Sequence, residues 1–262
     1  MTGGPIDFCA TETPSVTGRN EGVAGVFEDG DCDCTGFPDA VNPGCMQKLI
    51  AGVHEFRLKE FGRYRALFRR LSREGQNPHT LFITCSDSRV LAELITKSEP
   101  GDLFVVKNAG NIVPSANVKG DTNSTAAAIE FAVNQLHVSD IVICGHTQCG
   151  AMRALVDRSV DPAEMPHLAR WIEVAAPVRR VLDERYQHLN GIEDRVTAAA
   201  EENVLFGVDN LHTYPCVERR LEKGTLQLHA WFFNISTVEL FAYDPNTQQF
   251  APLVAGEEQE PA

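Results

Sequence analysis

Two short motifs contain the residues of this chain that are best suited to chemistry. The first is Cys85–Arg89 (Cys-Ser-Asp-Ser-Arg) and the second is His146–Cys149 (His-Thr-Gln-Cys). Together they offer a metal two thiolates and one imidazole, from Cys85, Cys149 and His146. Three protein ligands leave a tetrahedral Zn²⁺ one position short, and an open fourth position distinguishes a catalytic zinc from a structural one. The pattern therefore predicts a zinc enzyme that activates water.

The first motif also puts a carboxylate and a guanidinium close to the predicted metal. Asp87 and Arg89 are two residues apart on a predicted turn, a spacing that allows a bidentate ion pair. The carboxylate could accept a hydrogen bond from a metal-bound hydroxide, and Arg89 would keep it ionised. The alternative is a surface ion pair worth less than about 1 kcal/mol. Without Arg89, Asp87 could instead bind the metal and close the site.

Strands and helices alternate around the two motifs, which predicts an α/β fold. Residues 122–136 have the spacing of a helix. We expect a mostly parallel central sheet flanked by helices on both faces. Cys85 and His146 follow predicted strands, and such sheets bind ligands at the carboxyl ends of their strands. The apolar runs that predict buried strands are 81–84, 103–106 and 140–144.

The sequence on either side of this core has different patterns. A long amphipathic helix is predicted to begin at Asn42-Pro43, to bend near Gly62 and to end at Gly75. Residues 161–223 are predicted to be mostly helical, and 225–243 are predicted to form a C-terminal β hairpin. The predicted fold therefore has a long N-terminal helix before the sheet and a β hairpin after it.

The chain is predicted to have three segments. Residues 1–41 are rich in Gly, Thr, Asp and Pro without a sustained period, so we expect an irregular or disordered arm. Residues 42–254 would form the zinc domain, and 255–262 an acidic tail. The arm contains Cys32 and Cys34, whose spacing alone is a weak metal signal.

Composition excludes several classes of function. The net charge is −13, from 23 basic and 36 acidic residues, which disfavours nucleic-acid binding. No apolar stretch is long enough for a membrane span. The N-terminus lacks the basic and apolar regions of a secretory signal, so we expect a cytoplasmic protein.

The two motifs resemble those of the β-class carbonic anhydrases, and the resemblance extends over roughly residues 45–254. Gly101–Asn111 is similar to that family's segment after the second strand, and Ala127–Ala132 is similar to the helix before its histidine strand. The C-terminal half, including Leu228–Trp231, is most similar to the cyanobacterial carboxysomal members.

The resemblance implies a specific activity and a specific set of site residues. One zinc ion per subunit would be held by Cys85, His146 and Cys149, and Asp87 with Arg89 would be the catalytic dyad. The implied reaction is the reversible hydration of CO₂ to bicarbonate and a proton, by attack of zinc hydroxide. Such an enzyme is a lyase of carbon utilisation.

The resemblance also implies substrate contacts and partners. Gln76 matches a glutamine that hydrogen-bonds the substrate, while Phe104 and Ala109 match the lining of an apolar pocket. The family forms homodimers or higher multiples of dimers, with active sites near subunit boundaries, and the helix at 43–74 could embrace a partner. Association with a carboxysome shell, or a location within such a compartment, is a further implication.

Two alternatives stay open from the residues. The same fold and zinc chemistry would suit hydrolysis of carbonyl sulfide or carbon disulfide. Alternatively, Cys32 or Cys34 could supply a fourth ligand and make the protein a non-catalytic zinc scaffold. One departure from the family concerns the pocket wall, because Val118–Asp121 lacks the aromatic residue of the plant-type members.

Overall fold

A computed structural model describes residues 43–117 and 123–253 of the chain. The predictions for the arm at 1–41, for Val118–Asp121 and for the tail at 255–262 lie outside these ranges and stay predictions, as do the boundaries of the three segments. The chain divides into two compact units, which are separated in the sequence between Gly62 and Arg63.

The described part of the first unit is helical. Helix α1 (Pro43–Glu55) leads into one π-helical stretch, Phe56–Glu60. The sequence predicted a bend near Gly62, whereas the change from α-helical to π-helical hydrogen bonding begins at Phe56. A π-helical stretch of this kind interrupts an α-helix locally. The exposed apolar side chains of α1 include Met46, Leu49 and Val53.

Helix α2 (Phe61–Glu74) ends as the sequence predicted. Gly75 follows it with φ of 83°, and the amide of Gly75 donates to the carbonyl oxygen of Leu71. Glycine adopts this left-handed conformation without the steric cost that a Cβ imposes. The helix therefore terminates at Gly75 for a local reason, which is why its end could be predicted.

The second unit is built on a six-stranded sheet with the strand order β2-β1-β3-β4-β5-β6 within the described residues. The first four strands in this order are parallel, and the last two are antiparallel to their neighbours. This confirms the mostly parallel sheet and the hairpin of β4 and β5. The strands are β1 (Thr80–Cys85), β2 (Leu103–Asn108), β3 (Asp140–His146), β4 (Gln227–Asn234), β5 (Glu239–Asp244) and β6 (Gln249–Pro252).

Helices cover the sheet and make 161–223 mostly helical, as predicted. The longest of them, α8, packs against β3 and β4. No helix among the described residues is long and apolar enough to cross a membrane. The remaining helices are α3 (Ala92–Thr96), α4 (Ser124–Asn134), α5 (Gly150–Asp157), α6 (Pro166–Glu173), α7 (Ala176–Arg185), α8 (Ile192–Leu211) and α9 (Pro215–Glu222), with a 3₁₀ turn at Ala109–Asn111.

Both faces of the central strands are buried, which explains their continuous apolar sequences. Along β1, Leu81 and Ile83 belong to one core cluster, whereas Phe82 belongs to the cluster on the opposite face. Each side chain of this size contributes about 1.5–3 kcal/mol when it is fully buried. The core therefore holds the central strands, and the residues at their ends, in fixed positions.

The strand order puts the two motifs at the place where such sheets bind ligands. The chain passes from β1 to β2 on one side and then to β3 on the other side of β1. This reversal leaves a crevice at the carboxyl ends of β1 and β3. Cys85 is the last residue of β1 and His146 is the last residue of β3. The predicted strand-end positions of these two residues are thus confirmed.

Candidate active site

Three predicted ligand residues converge at the carboxyl end of the sheet. The ligand atoms of Cys85, His146 and Cys149 all lie within 4.8 Å of one another. The two sulfur atoms are 4.0 Å apart. All three side chains are buried, with exposed fractions of 6%, 0% and 0% respectively. Residues from β1, from β3 and from the start of α5 thus form one compact donor set.

His146 has the hydrogen-bonding pattern of a metal ligand. Its Nδ1 atom lies 2.8 Å from the carbonyl oxygen of Thr147, so Nδ1 carries the proton and donates it. Nε2 is then an acceptor, and it is buried without a hydrogen-bond partner. A buried polar atom without a partner costs about 1–3 kcal/mol. A metal ion at Nε2 would remove this cost, so the residues present fit zinc.

The sulfur of Cys85 receives several hydrogen bonds. The amide of Asp87 is 3.4 Å from Sγ and the amide of Gly110 is 3.3 Å from it. The thiol of Cys149, together with these amides, lowers the pKa of Cys85 to about 4. The pKa of Cys149 is raised in turn, because Cys149 keeps its proton while it hydrogen-bonds the Cys85 thiolate. A metal cation would displace that remaining proton, since metals bind the thiolate.

Helix α5 begins at the metal cluster. Cys149 occupies its N-cap, and the amides of Ala151 and Met152 act to lower the pKa of the Cys149 thiol. The start of a helix carries partial positive charge, which favours a thiolate. The His-x-x-Cys spacing works here because β3 ends at His146 and α5 starts immediately after Cys149.

Asp87 and Arg89 form the bidentate pair that the sequence predicted. Asp87 Oδ2 lies 2.8 Å from Arg89 Nη2, and Oδ1 lies 3.0 Å from Nε. These bonds hold the pKa of the Asp87 carboxyl far below its usual range. Oδ2 is also 4.0 Å from the unpartnered Nε2 of His146. The carboxylate therefore borders the ligand cluster while Arg89 binds both of its oxygens.

The outer side of the guanidinium contacts a residue that sequence reasoning missed. Arg89 Nη1 donates to the side-chain oxygen of Gln148 at 3.1 Å. Gln148 has φ of 58°, which a residue with a side chain seldom adopts. Its place between His146 and Cys149 in the second motif was the available signal. Through Arg89, Gln148 links the second motif to the first.

The 3₁₀ turn after β2 is held by two residues that the sequence did not single out. Trp171 Nε1 donates to the carbonyl oxygen of Ala109 at 2.7 Å. Asn203 Nδ2 donates to the carbonyl oxygen of Gly110 at 2.9 Å. These contacts cross 62 and 93 residues of sequence, so no local pattern could have predicted them.

The three predicted substrate contacts lie at different distances from the ligand cluster. Ala109 directly follows β2 and precedes Gly110, so it lies beside the cluster. Gln76 is exposed and precedes β1, whereas Cys85 ends that strand, and a six-residue strand is about 17 Å long. Phe104 pairs with Leu81 near the start of β1. Within one chain, only Ala109 of the three is near the cluster.

The chain is similar to known enzymes of one family. A family model described as carbonic anhydrase matches residues 80–240. A carbonic anhydrase of Synechocystis sp. is 43% identical over 199 residues, which cover 76% of this chain and 71% of that relative. The family model's range of residues 80–240 includes all three members of the ligand cluster.

Solved structures agree with the sequence comparison. The β-carbonic anhydrase CcaA matches with a TM-score of 0.76 and 42% identity, over 80% of this chain and all of that one (100%). One of two β-carbonic anhydrases from Sordaria macrospora, described as tetrameric, matches with a TM-score of 0.67 and 28% identity, over 76% of this chain and 96% of that one. The sheet and its flanking helices are therefore those of the β-carbonic anhydrases.

Proposed function

This chain belongs to the β-carbonic anhydrase family, and from that premise we propose how it hydrates CO₂ to bicarbonate and a proton. One zinc ion per subunit is bound by Cys85, His146 and Cys149. Asp87 and Arg89 are the catalytic pair. The observation that carries this proposal is the convergence of three buried ligand atoms, one of them the unpartnered Nε2 of His146.

Zinc, when bound, supplies a Lewis acid that activates water near neutral pH. Asp87 accepts a hydrogen bond from the attacking water. This bond orients the water so that a lone pair on the water oxygen faces the carbon of CO₂. Arg89 keeps Asp87 ionised and holds both carboxylate oxygens, which prevents the carboxylate from taking up a position as a fourth ligand. Gln148 supports Arg89 from the other side.

The substrate is small and apolar, and Ala109 is suited to line its pocket because it lies beside the cluster. Gln76 and Phe104 belong to the pocket only if a second copy of the chain supplies them, since within one chain they lie near the start of β1 and β2. We therefore propose a homodimer or a multiple of dimers, with α1 and α2 as the arm that contacts a partner. Association with a carboxysome shell stays a prediction.

The decisive test is stopped-flow CO₂ hydration with the zinc content measured on the same sample, at neutral and alkaline pH. We expect one zinc per subunit and a rate that rises toward alkaline pH, because two thiolates donate charge to zinc and weaken its effect on water. In Cys85→Ser, which removes one of the three proposed ligands, zinc content should fall and hydration should fall by about 100-fold or more, since loss of a residue that only supports a ligand already costs about 10–100-fold. Cys216→Ser, a buried cysteine on α9, is the matched control and should keep both.

Other outcomes would identify the alternatives. Full zinc occupancy without turnover would mean that the fourth position is filled, as a scaffold with a Cys32 or Cys34 ligand requires. Faster hydrolysis of carbonyl sulfide than hydration of CO₂ would assign the chain to the sulfur substrates. Either result would refute CO₂ hydration as the main activity.

A further inference from the structure

One peptide unit joins a tryptophan to a metal ligand. Trp171, on α6, donates its indole N–H to the carbonyl oxygen of Ala109 at 2.7 Å. The N–H of Gly110, in the same peptide unit as that carbonyl, is 3.3 Å (N to Sγ) from Cys85. The indole, the Ala109–Gly110 peptide and the sulfur thus form a continuous line of hydrogen bonds.

The two hydrogen bonds strengthen each other. A donor bound at the carbonyl oxygen polarises the amide and makes its N–H a better donor, an effect that is larger where water is excluded. Water is largely excluded here, because Cys85 and Cys149 belong to a buried cluster against which Trp171 packs. The indole N–H therefore acts on the sulfur through the peptide, although it does not touch the sulfur.

The orientation of this peptide needs such a constraint. Gly110 has φ of 82°, and the absence of a side chain lets the preceding peptide adopt alternative orientations at little cost. Asn203 binds the carbonyl oxygen of Gly110, which belongs to the next peptide unit. The hydrogen bond from Trp171 therefore constrains the carbonyl end of the Ala109–Gly110 peptide, whose N–H end faces the Cys85 sulfur.

We propose that Trp171 is a positioning residue of the metal site, which aims the Gly110 N–H at the Cys85 sulfur and so withdraws electron density from that ligand. The proposal rests on the zinc site of the proposed function and adds a residue to it. Two thiolates reduce the positive charge on the metal more than neutral imidazoles would, and a hydrogen bond to a thiolate offsets part of that reduction.

The test uses Trp171→Phe, which removes the N–H and keeps an aromatic ring. The chain has only two tryptophans, so Trp231→Phe is a matched control; Trp231 packs against Phe82 in the cluster on the other face of the sheet. A second variant replaces the indole of Trp171 by benzothiophene in the Trp231→Phe background, which preserves shape and removes only the donor. Circular dichroism establishes that each variant is folded.

The main readout is the sulfur-to-cobalt charge-transfer band of the Co²⁺-substituted protein, with zinc release to a chelator as the second. Loss of the donor should shift the band to lower energy, because the thiolate becomes more electron-rich. Zinc release should accelerate by about 10-fold, because the Gly110 N–H no longer holds the Cys85 sulfur in position; the loss of outer hydrogen bonds of this kind weakens metal binding by about 10–100-fold. Trp231→Phe should leave both unchanged.

The outcomes separate this inference from the proposed function. If the unsubstituted protein binds Co²⁺ with a charge-transfer band and both Trp171 variants keep that band and the zinc release rate, the positioning role is wrong and the metal site stands. An equal shift in Trp231→Phe would also overturn it, as a general packing effect. If the unsubstituted protein binds neither zinc nor Co²⁺, the proposed function fails together with this inference.

Discussion

At the scale of the residue, the site is defined by how each donor and acceptor is used. His146 donates a hydrogen bond from Nδ1 to the backbone carbonyl of Thr147, which leaves Nε2 available to bind a metal. Both oxygens of Asp87 are bound by Arg89, which leaves the carboxylate ionised beside that nitrogen. A neutral or mobile carboxylate in this position could neither orient a water nor stay off the metal. The Asp87–Arg89 pair is thus expected to decide whether the site is open.

Arg89→Ala should lower kcat/KM for CO₂ hydration by about 100-fold, the size of effect that misplacing a reacting group by about 1 Å can have. The released Asp87 carboxylate can then approach the metal. Arg153→Ala is the matched control, because Arg153 pairs with Glu193 on the exposed surface and should be dispensable. Stopped-flow assays of both variants, with zinc content, decide the point. Equal activities would contradict the role of Arg89.

Because the pKa of Asp87 is lowered, this carboxyl is not expected to cause a change of rate in the pH range of the assay. Its folded-state pKa is lowered by Arg89, so its contribution to stability is complete above the unfolded value of about 3.9 and is lost only as pH falls through the lower folded value. Between pH 6 and pH 9, roughly the range of an assay, the carboxylate stays ionised. A rate increase toward alkaline pH would therefore have to come from another group.

At the scale of the element, the ligands are positioned by the ends of strands and the start of a helix. The core on both faces of β1 and β3 fixes Cys85 and His146, and the start of α5 fixes Cys149. The 3₁₀ turn after β2 completes the site by bringing the Gly110 amide to the Cys85 sulfur. This turn must pass close to α5, since a Cβ on Gly110 would lie 2.7 Å from the Cβ of Ala151.

Gly110→Ala should therefore destabilise the protein by more than a positive φ alone explains. Gly224→Ala is the matched control, because Gly224 also has a positive φ, of 64°, but has no atom within 4 Å of an added Cβ. The left-handed backbone alone costs about 1–2 kcal/mol. We expect that cost for Gly224→Ala and about 3 kcal/mol or more for Gly110→Ala, from urea unfolding of the zinc-bound protein. Equal losses in the free energy of unfolding would contradict the prediction, because they would show that the space between the 3₁₀ turn and α5 can accommodate the added methyl group.

At the scale of the whole molecule, one chain holds the proposed metal site but not all of its proposed substrate contacts. Gln76 precedes β1 while the cluster lies at the other end of that strand. The apolar side chains Met46, Leu49 and Val53 on α1 are exposed in the single chain. Both features are those expected of a protein whose sites are completed by assembly, with Gln76 of a second copy at the cluster.

Subunit mixing tests this arrangement. Gln76→Ala and Cys149→Ser chains, each impaired alone, should regain CO₂ hydration when they are coexpressed, because a hybrid pairs an intact metal site with an intact Gln76 from the other chain. Coexpression of Gln187→Ala, an exposed glutamine just after α7 and outside the proposed arm, with Cys149→Ser gives the activity of one unimpaired chain type for comparison. Hybrids without any recovery, in oligomers shown to be mixed, would place Gln76 outside the site or within the same chain.

The sequence by itself determined the features that depend on local pattern. The strand-end positions of Cys85 and His146, the Asp87–Arg89 pair and the helix end at Gly75 could all be predicted, because each follows from residues within a few positions. The family resemblance covered the same residues and supplied the reaction. The short strand β6 was missed, since its four residues include a proline and carry little periodicity.

Tertiary structure alone decided how distant segments complete the site. The indole of Trp171, the amide of Asn203 and the oxygen of Gln148 reach their partners across 62, 93 and 59 residues of sequence. Such contacts depend on how helices pack over the sheet, and packing is set by many weak interactions at once instead of by a local pattern. For the same reason, the position of Gln76 at the far end of β1 became visible only when the strand was placed in the sheet.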